Sequence, residues 1–320
     1  MQDRRQDVRV YRFPSRSRPH IAFIKDRPRN SGLTSLRFVG ANRFVCCDFN
    51  EKLMYLAELD GTALRIIAQT PTIIQDGTPV ETDLLDVNDQ GLLVVSNFYQ
   101  GTQSFYVLGR DTLSFASELK LTNFLRCHGV RFVPGYPDLL WVSYCGAMNK
   151  CIVILDFRNN RILHTLELPE QMQDAAFIGP YVLAPARTNH ITVGSPYAGR
   201  MYATVYLFQL PANLYETPPQ VVDVWQGEGH LDAMKEYGAA AYSANQYTDM
   251  VDVFGVTAQG RLERRPSLRG FSMPHGLDIR DDGLLGVTNY GDNSMRFLQL
   301  PPVQRQRQAD VDSRTQIGAG

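Results

Sequence analysis

The sequence predicts an all-β protein, a six-bladed β-propeller with four-stranded blades whose last blade is closed by a strand from the N-terminal region. Three observations predict it. A unit of about 48 residues recurs six times. Strand-like runs alternate with turn residues through most of the chain. The last unit is one strand short. No segment holds a 3.6-residue apolar period, so helix is expected to be scarce.

The clearest unit runs from Pro274-His275-Gly276-Leu277 through Asp281-Asp282-Gly283 to Val287-Thr288-Asn289. It reads as a strand, a glycine turn and a second strand. Residues 83–97 repeat it: Gly91 and Asn97 follow Asp83 by eight and fourteen residues, as Gly283 and Asn289 follow His275. The same phase laid on four further segments places the six unit starts at Thr34, Asp83, His128, Asp174, His230 and His275, at intervals of 49, 45, 46, 56 and 45 residues. Two more strand-like runs follow each pair, such as Leu53–Leu59 with Leu64–Ile67, Phe105–Leu108, and Cys151–Leu155 with Ile162–Leu168.

The last unit ends at Leu300, before Pro301-Pro302 and a polar tail. Two spare strands, Val8–Phe13 and His20–Lys25, precede the first unit. One of them is expected to complete the last blade, closing the ring and leaving no free sheet edge. The chain accordingly divides into an arm at 1–19, a propeller at 20–302 and a tail at 303–320.

Composition narrows the function classes. With 44% hydrophobic and 20% charged residues, the 320-residue chain has the makeup of a soluble globular protein. A net charge of −1 gives no sign of a nucleic-acid or acidic-membrane partner. No apolar run reaches the roughly 18 residues that span a bilayer, and the start lacks the apolar stretch of a secretory signal. The five cysteines, odd in number and irregular in spacing, argue for a reducing compartment and a cytoplasmic protein. No Cys-x-x-Cys pair is present, which speaks against a thiolate zinc site.

The repeat phase is also a site prediction. The first strand of a propeller blade lines the central channel, and the second returns to the same face. The six starts therefore converge on one channel mouth with the returning residues Asp48, Asn97, Tyr144, Asn245 and Asn289. Blade four is less regular and returns through Arg187-Thr188-Asn189-His190. Three of the six histidines, His128, His230 and His275, fall on one position of the repeat. Neutral imidazole is a common transition-metal ligand, and Asp is a good companion. The three histidines are thus metal-ligand candidates, for a divalent zinc, iron or manganese. Asp83 and Asp174 are candidate general bases. The run from Arg187 to Arg200 departs furthest from the repeat and is expected to lie over the mouth as a lid, with Arg187 and His190 joining the chemistry. Asn97, Tyr144, Asn245, Asn289 and Tyr197 are candidate substrate contacts. The alternative reading is that these polar groups only tie the blades together.

The Pro274–Asn289 unit resembles the repeat of NHL and YVTN-type propellers. The six-bladed layout resembles the gluconolactonase, paraoxonase and strictosidine synthase superfamily. That resemblance implies a divalent cation held at the mouth by Glu, Asp and Asn. Asn97, Asn245 and Asn289 match such amide ligands, and Asp83 and Asp174 match the charged ones. His128, His230 and His275 depart from the pattern, because calcium prefers oxygen. A channel-mouth His beside a metal is instead similar to the virginiamycin B lyase type. The expectation is a small-molecule enzyme, a metal-dependent hydrolase or lyase. The alternatives are a metal-free propeller enzyme of the strictosidine synthase type and a non-enzymatic interaction propeller, for which Phe98, Tyr99 and Tyr197 would be the exposed aromatics.

Overall fold

A computed structural model describes residues 9–13, 20–24, 27–29, 32–61, 63–121, 123–189 and 201–303. Six antiparallel sheets form the blades of a closed propeller. Blade 1 is built from Leu33–Phe38, Arg43–Asp48, Leu53–Asp60 and Ala63–Pro71; blade 2 from Thr82–Val87, Leu92–Asn97, Thr102–Leu108 and Leu113–Leu119. Blade 3 follows as Cys127–Val133, Tyr136–Gly146, Asn149–Asp156 and Arg161–Glu167. Blade 4 breaks its innermost strand into Gln171–Met172 and Ala176–Ile178, then continues with Tyr181–Asn189, Met201–Gln209 and Gln220–Glu228. Blade 5 is Leu231–Tyr237, Ala240–Asn245, Met250–Val256 and Leu262–Leu268; blade 6 is Pro274–Ile279, Leu284–Asn289 and Ser294–Gln299.

Arg9–Arg12 pairs with Ser294–Gln299 as the fourth strand of blade 6. The N-terminal closure expected from the sequence is present. The closing strand lies ahead of residue 20, so the propeller begins inside the segment assigned to the arm. Its Tyr11, with Phe13 just beyond it, supplies the apolar contacts that secure it. Both are buried with Phe44, Tyr55 and Phe297 between blades 6 and 1. His20–Ile24 pairs with Arg27–Arg29 in a separate hairpin.

Among the described residues, six of the seven hydrophobic clusters lie one between each pair of adjacent blades, and the small seventh joins Tyr247, Met273 and Tyr290. Alternation explains this. Each strand turns one set of side chains toward the preceding blade and the other toward the following one, so the second and third strands read as near-continuous apolar runs. Trp141 at the blade 3–4 interface and Phe254 at the blade 4–5 interface are fully buried examples. The repeat's turn glycines have left-handed backbone, with φ of 74° at Gly91 and 89° at Gly283.

Candidate metal and catalytic site

The innermost strands share one irregularity. In blades 1, 2, 3, 5 and 6 the register against the second strand shifts just after the first paired residue, which is Leu33, Thr82, Cys127, Leu231 or Pro274. Blade 4 pairs Met172 with Ala186 and then breaks. A bulge re-aims the residue that it frees. The residue following each paired start is Thr34, Asp83, His128, Gln173, Asp232 or His275, and all six are buried. They form a polar ring at one channel mouth.

The ring repeats by halves. Blades 1–3 contribute Thr34, Asp83 and His128; blades 4–6 contribute Gln173, Asp232 and His275. His275 Nδ1 lies 2.7 Å from the Thr34 carbonyl oxygen, and His128 Nδ1 lies 3.0 Å from that of Gln173. Each Nδ1–H donates to the next blade's backbone, so each Nε2 is turned into the ring. The glycines after these histidines permit it. A Cβ at Gly129 would stand 2.2 Å from the Gln173 carbonyl oxygen, and one at Gly276 would stand 2.4 Å from that of Thr34. The His-Gly pair is therefore a packing requirement: the carbonyl that orients the histidine leaves no room for a side chain on the next residue.

His128 Nε2 lies 3.3 Å from Asp83 Oδ2 and 3.3 Å from Asp232 Oδ1. His275 Nε2 lies 3.4 Å from Asp83 Oδ1 and 3.7 Å from Asp232 Oδ1. These separations exceed the roughly 2.8 Å of a charge-assisted hydrogen bond. Asp83 Oδ1 is buried and accepts no hydrogen bond from the described residues. One donor atom each from Asp83, His128 and His275 falls within 4.8 Å of the others. A tetrahedral ion with bonds of about 2.1 Å has ligand-to-ligand edges of about 3.4 Å. The spacing of Asp83, His128 and His275 and the unsatisfied carboxylate oxygen therefore fit a small divalent ion, and Asp232 stands beside them, bound by Arg187 and Gln246.

Burial alone would raise the Asp232 carboxyl, but His230, His275, His128 and Arg187 outweigh it and hold it well below the usual carboxylate range. Burial lowers His128, yet Asp83 and Asp232 win and raise it. Such a pair of carboxylates around imidazole nitrogens has a place for a proton or a metal.

Of the sequence-predicted residues, Asp83, His128 and His275 meet in the ring. His230 does not share their position. It precedes the paired Leu231 and approaches from outside, with Nε2 3.5 Å from Asp232 Oδ2 and Nδ1 3.2 Å from Met201 Sδ. Arg187 Nη1 lies 3.2 Å from Asp232 Oδ1 and also contacts His230 Nε2. Asp174 is displaced as well, one residue beyond the ring position held by Gln173. Both its oxygens are committed, to Arg131 at 2.8 and 2.6 Å and to the Met234 amide at 2.7 Å. Burial pushes its carboxyl up to about 7, against Arg37 and the Met234 and Ala175 amides. That value suits a proton acceptor, but its contacts belong to a second layer of ion pairs.

The returning residues Asn97, Tyr144, Asn245 and Asn289 are buried at the strand ends, where they organise turns. Asn97 Nδ2 donates to Thr102 Oγ1 and Ser104 Oγ. Asn245 Oδ1 accepts from the His230, Tyr247 and Thr248 amides, and Asn289 Oδ1 from the Ser272 amide. The Tyr144 hydroxyl donates to the Gly101 carbonyl oxygen. His190 and Tyr197 lie outside the described residues. Sequence reasoning missed Asp232 and Gln173. The signal for Asp232 was a charged residue where the strand pattern called for an apolar one.

Cavities of about 720 and 550 Å³ open at the other channel mouth, lined by Arg37, Asp86, Lys235 and Asp278, and by Arg131, respectively. Chemistry favours the His/Asp ring over that end, where each carboxylate faces a guanidinium or an ammonium group.

No family model matches the sequence, and no curated protein is similar enough to count as a match. Solved structures are similar to it. The fold they share with it is the β-propeller. Hydrazine synthase of Kuenenia stuttgartiensis has 11% identity over 84% of this chain and 96% of its own, with a TM-score of 0.59. Virginiamycin B lyase from Staphylococcus aureus has 10% identity, covers 92% and 99%, and scores 0.53. The WD40 repeats of RRP9 have 10% identity, cover 92% and 98%, and score 0.58. Enzymes and a repeat scaffold stand side by side, so the likeness speaks to fold and not activity.

Proposed function

We propose that this propeller is a metal-dependent enzyme acting on a small molecule at the His/Asp mouth, as a hydrolase or lyase. The observation that carries the reading is the convergence of His128 Nε2, His275 Nε2 and the unsatisfied Asp83 Oδ1, with both imidazoles fixed through Nδ1. Second partners of this kind orient metal-binding histidines. The mixed nitrogen and oxygen donors suit zinc, iron or manganese better than calcium. Asp83, His128 and His275 would hold the ion, and Asp232 would complete the set. When bound, it would supply Lewis-acid polarisation of a substrate oxygen. His230 Nε2 is the proton acceptor beside this set, and Arg187 keeps Asp232 ionised and the imidazole of His230 in place. The free, buried thiols of all five cysteines support a reducing, cytoplasmic setting.

Metal analysis of purified protein tests the proposal. The expected result is close to one transition-metal ion per chain, lost in His128→Ala and His275→Ala. Equal, negligible metal in all three samples would overturn it. The raised His128 favours a second reading, acid–base catalysis without metal. Activity that survives exhaustive chelation would select it.

A further inference from the structure

The ring of residues just outside the His/Asp ring is divided by chemistry. The second strands of blades 1, 2, 5 and 6 are followed at this mouth by Phe49, Phe98, Gln246 and Tyr290, blade 3 places Cys145 near the end of its second strand, and blade 4 places Arg187 beside Ala186. Aromatics occupy the contiguous blades 6, 1 and 2. Arg187 stands on blade 4, across the channel from blade 1.

The aromatic side is a connected wall. Phe49 and Phe98 have ring centroids 5.7 Å apart, and Tyr99 lies 5.0 Å from Phe98 and 6.0 Å from Phe49. Phe98 also reaches the ring of His128 at 6.2 Å. Tyr99 is 48% exposed, and Phe49 and Phe98 are half-buried. An aromatic cluster that keeps exposed area beside a polar ring has apolar surface to offer a ligand. Tyr290 has a different part. It stacks on His275 at 4.4 Å and is buried, so it braces that imidazole.

The opposite side carries the one guanidinium among the described residues of this mouth that contacts the ring. Arg187 Nη1 is taken by Asp232 and His230, whereas its buried Nε has no hydrogen-bond partner among the described residues. The charges also decide the sign of the substrate. Two carboxylates, a divalent ion, neutral imidazoles and one guanidinium leave the loaded site with one net positive charge.

We infer that the mouth takes a small organic anion with a flat unsaturated body. Its anionic group turns to Arg187, and its body lies across the channel against Phe49, Phe98 and Tyr99. This rests on the metal-site reading above and adds the substrate class to it.

Calorimetric titration of the purified, metal-analysed protein tests the inference, with benzoate as probe and benzyl alcohol and acetate as controls. Benzyl alcohol keeps the ring and lacks the charge; acetate keeps the charge and lacks the ring. Benzoate is expected to bind at least tenfold more tightly than either. Phe98→Ala, which leaves the Asp232 contacts untouched, should lose most of the advantage over acetate while retaining its metal. Arg187→Lys should lose most of the advantage over benzyl alcohol. Benzoate binding no tighter than the controls in metal-loaded protein would overturn the inference and leave the metal site standing. An unchanged benzoate affinity in both variants would overturn it too. Metal-free wild-type protein would overturn the underlying reading, whatever benzoate does.

Discussion

The innermost strands carry two polar layers, three residues apart in every blade but the fourth, where Asp174 directly follows Gln173, and they match their charges in opposite ways. In the layer at the opposite mouth, Arg37, Asp86, Arg131, Asp174, Lys235 and Asp278 come from blades 1 to 6 in turn, and their signs alternate. Arg37 Nε meets Asp86 Oδ1 at 3.2 Å, Arg131 meets the same oxygen at 3.7 Å and grips Asp174 with two nitrogens, and Lys235 Nζ stands 3.8 Å from Asp278 Oδ1. Three cations and three carboxylates face one another around this layer, although Arg37 Nη2, Arg131 Nη1 and Asp278 Oδ1 make no hydrogen bond among the described residues. In the His/Asp layer the carboxylates face imidazoles at 3.3 to 3.7 Å, with Arg187 reaching only Asp232. The difference teaches what each layer is for. Carboxylates faced by guanidinium and ammonium groups, as in the two-point Arg131–Asp174 pair, tie neighbouring blades together through opposite charge. A buried carboxylate with an unsatisfied oxygen among fixed imidazoles keeps its capacity to bind something else.

The largest expected effect comes from opening the paired layer. Arg131→Ala removes the guanidinium that serves both Asp174 and Asp86 and leaves two carboxylates buried without it. Removing one partner of a buried pair costs about 3–5 kcal/mol. Urea denaturation at pH 8 should register that loss, with metal content of the folded protein unchanged. A loss below about 1 kcal/mol, the scale of an exposed pair, would break the distinction between the layers.

The next effect belongs to the other layer. An ion that binds only the folded chain stabilises it by about 2.7 kcal/mol at a hundredfold excess over its dissociation constant. Chelation should therefore lower the stability of the wild type by an amount of that order and leave His275→Ala nearly unchanged. Asp232→Asn keeps the shape of the side chain but not its charge. It should weaken metal binding by about 10–100-fold, measured by competition with a chromophoric chelator. Equal chelator sensitivity in the wild type and His275→Ala would place any ion elsewhere.

The two layers were not equally legible in the sequence. The blade count, the N-terminal closure and the ring positions Asp83, His128 and His275 followed from repeat spacing, because turn glycines and apolar alternation recur with the blade. The phase failed in blades 4 and 5. There the polar residues nearest the expected start were Asp174 and His230, and the structure uses Gln173 and Asp232. The bulge explains the slip. It frees one residue at the start of each inner strand, so alternation downstream does not fix which residue enters the ring. The alternating layer was not visible at all. Its pairs join neighbouring blades, Arg37 with Asp86 and Arg131 with Asp174 at 49 and 43 positions apart, and Arg37 with Asp278 only through ring closure.

The smallest effect separates the layers by pH. Asp174 is pushed up to about 7 from an ordinary 3.8, and His128 is raised from an ordinary 6.5. Both groups hold a proton more firmly in the folded chain, so each contributes stability that is full below its ordinary value. Each contribution is lost as pH climbs to the folded value. The windows differ: pH 3.8 to about 7 for Asp174, and upward from 6.5 for His128. The slope contributed by one group is at most about 1.4 kcal/mol per pH unit. In metal-free protein, His128→Gln should flatten the stability profile only above pH 6.5, and Asp174→Asn only in the lower window. Chelator-free protein carrying its metal should lose the upper slope without mutation, because a bound ion takes the place of the His128 proton. An upper slope that persists in His128→Gln would assign the titration to another group and separate the raised imidazole from the proposed metal site.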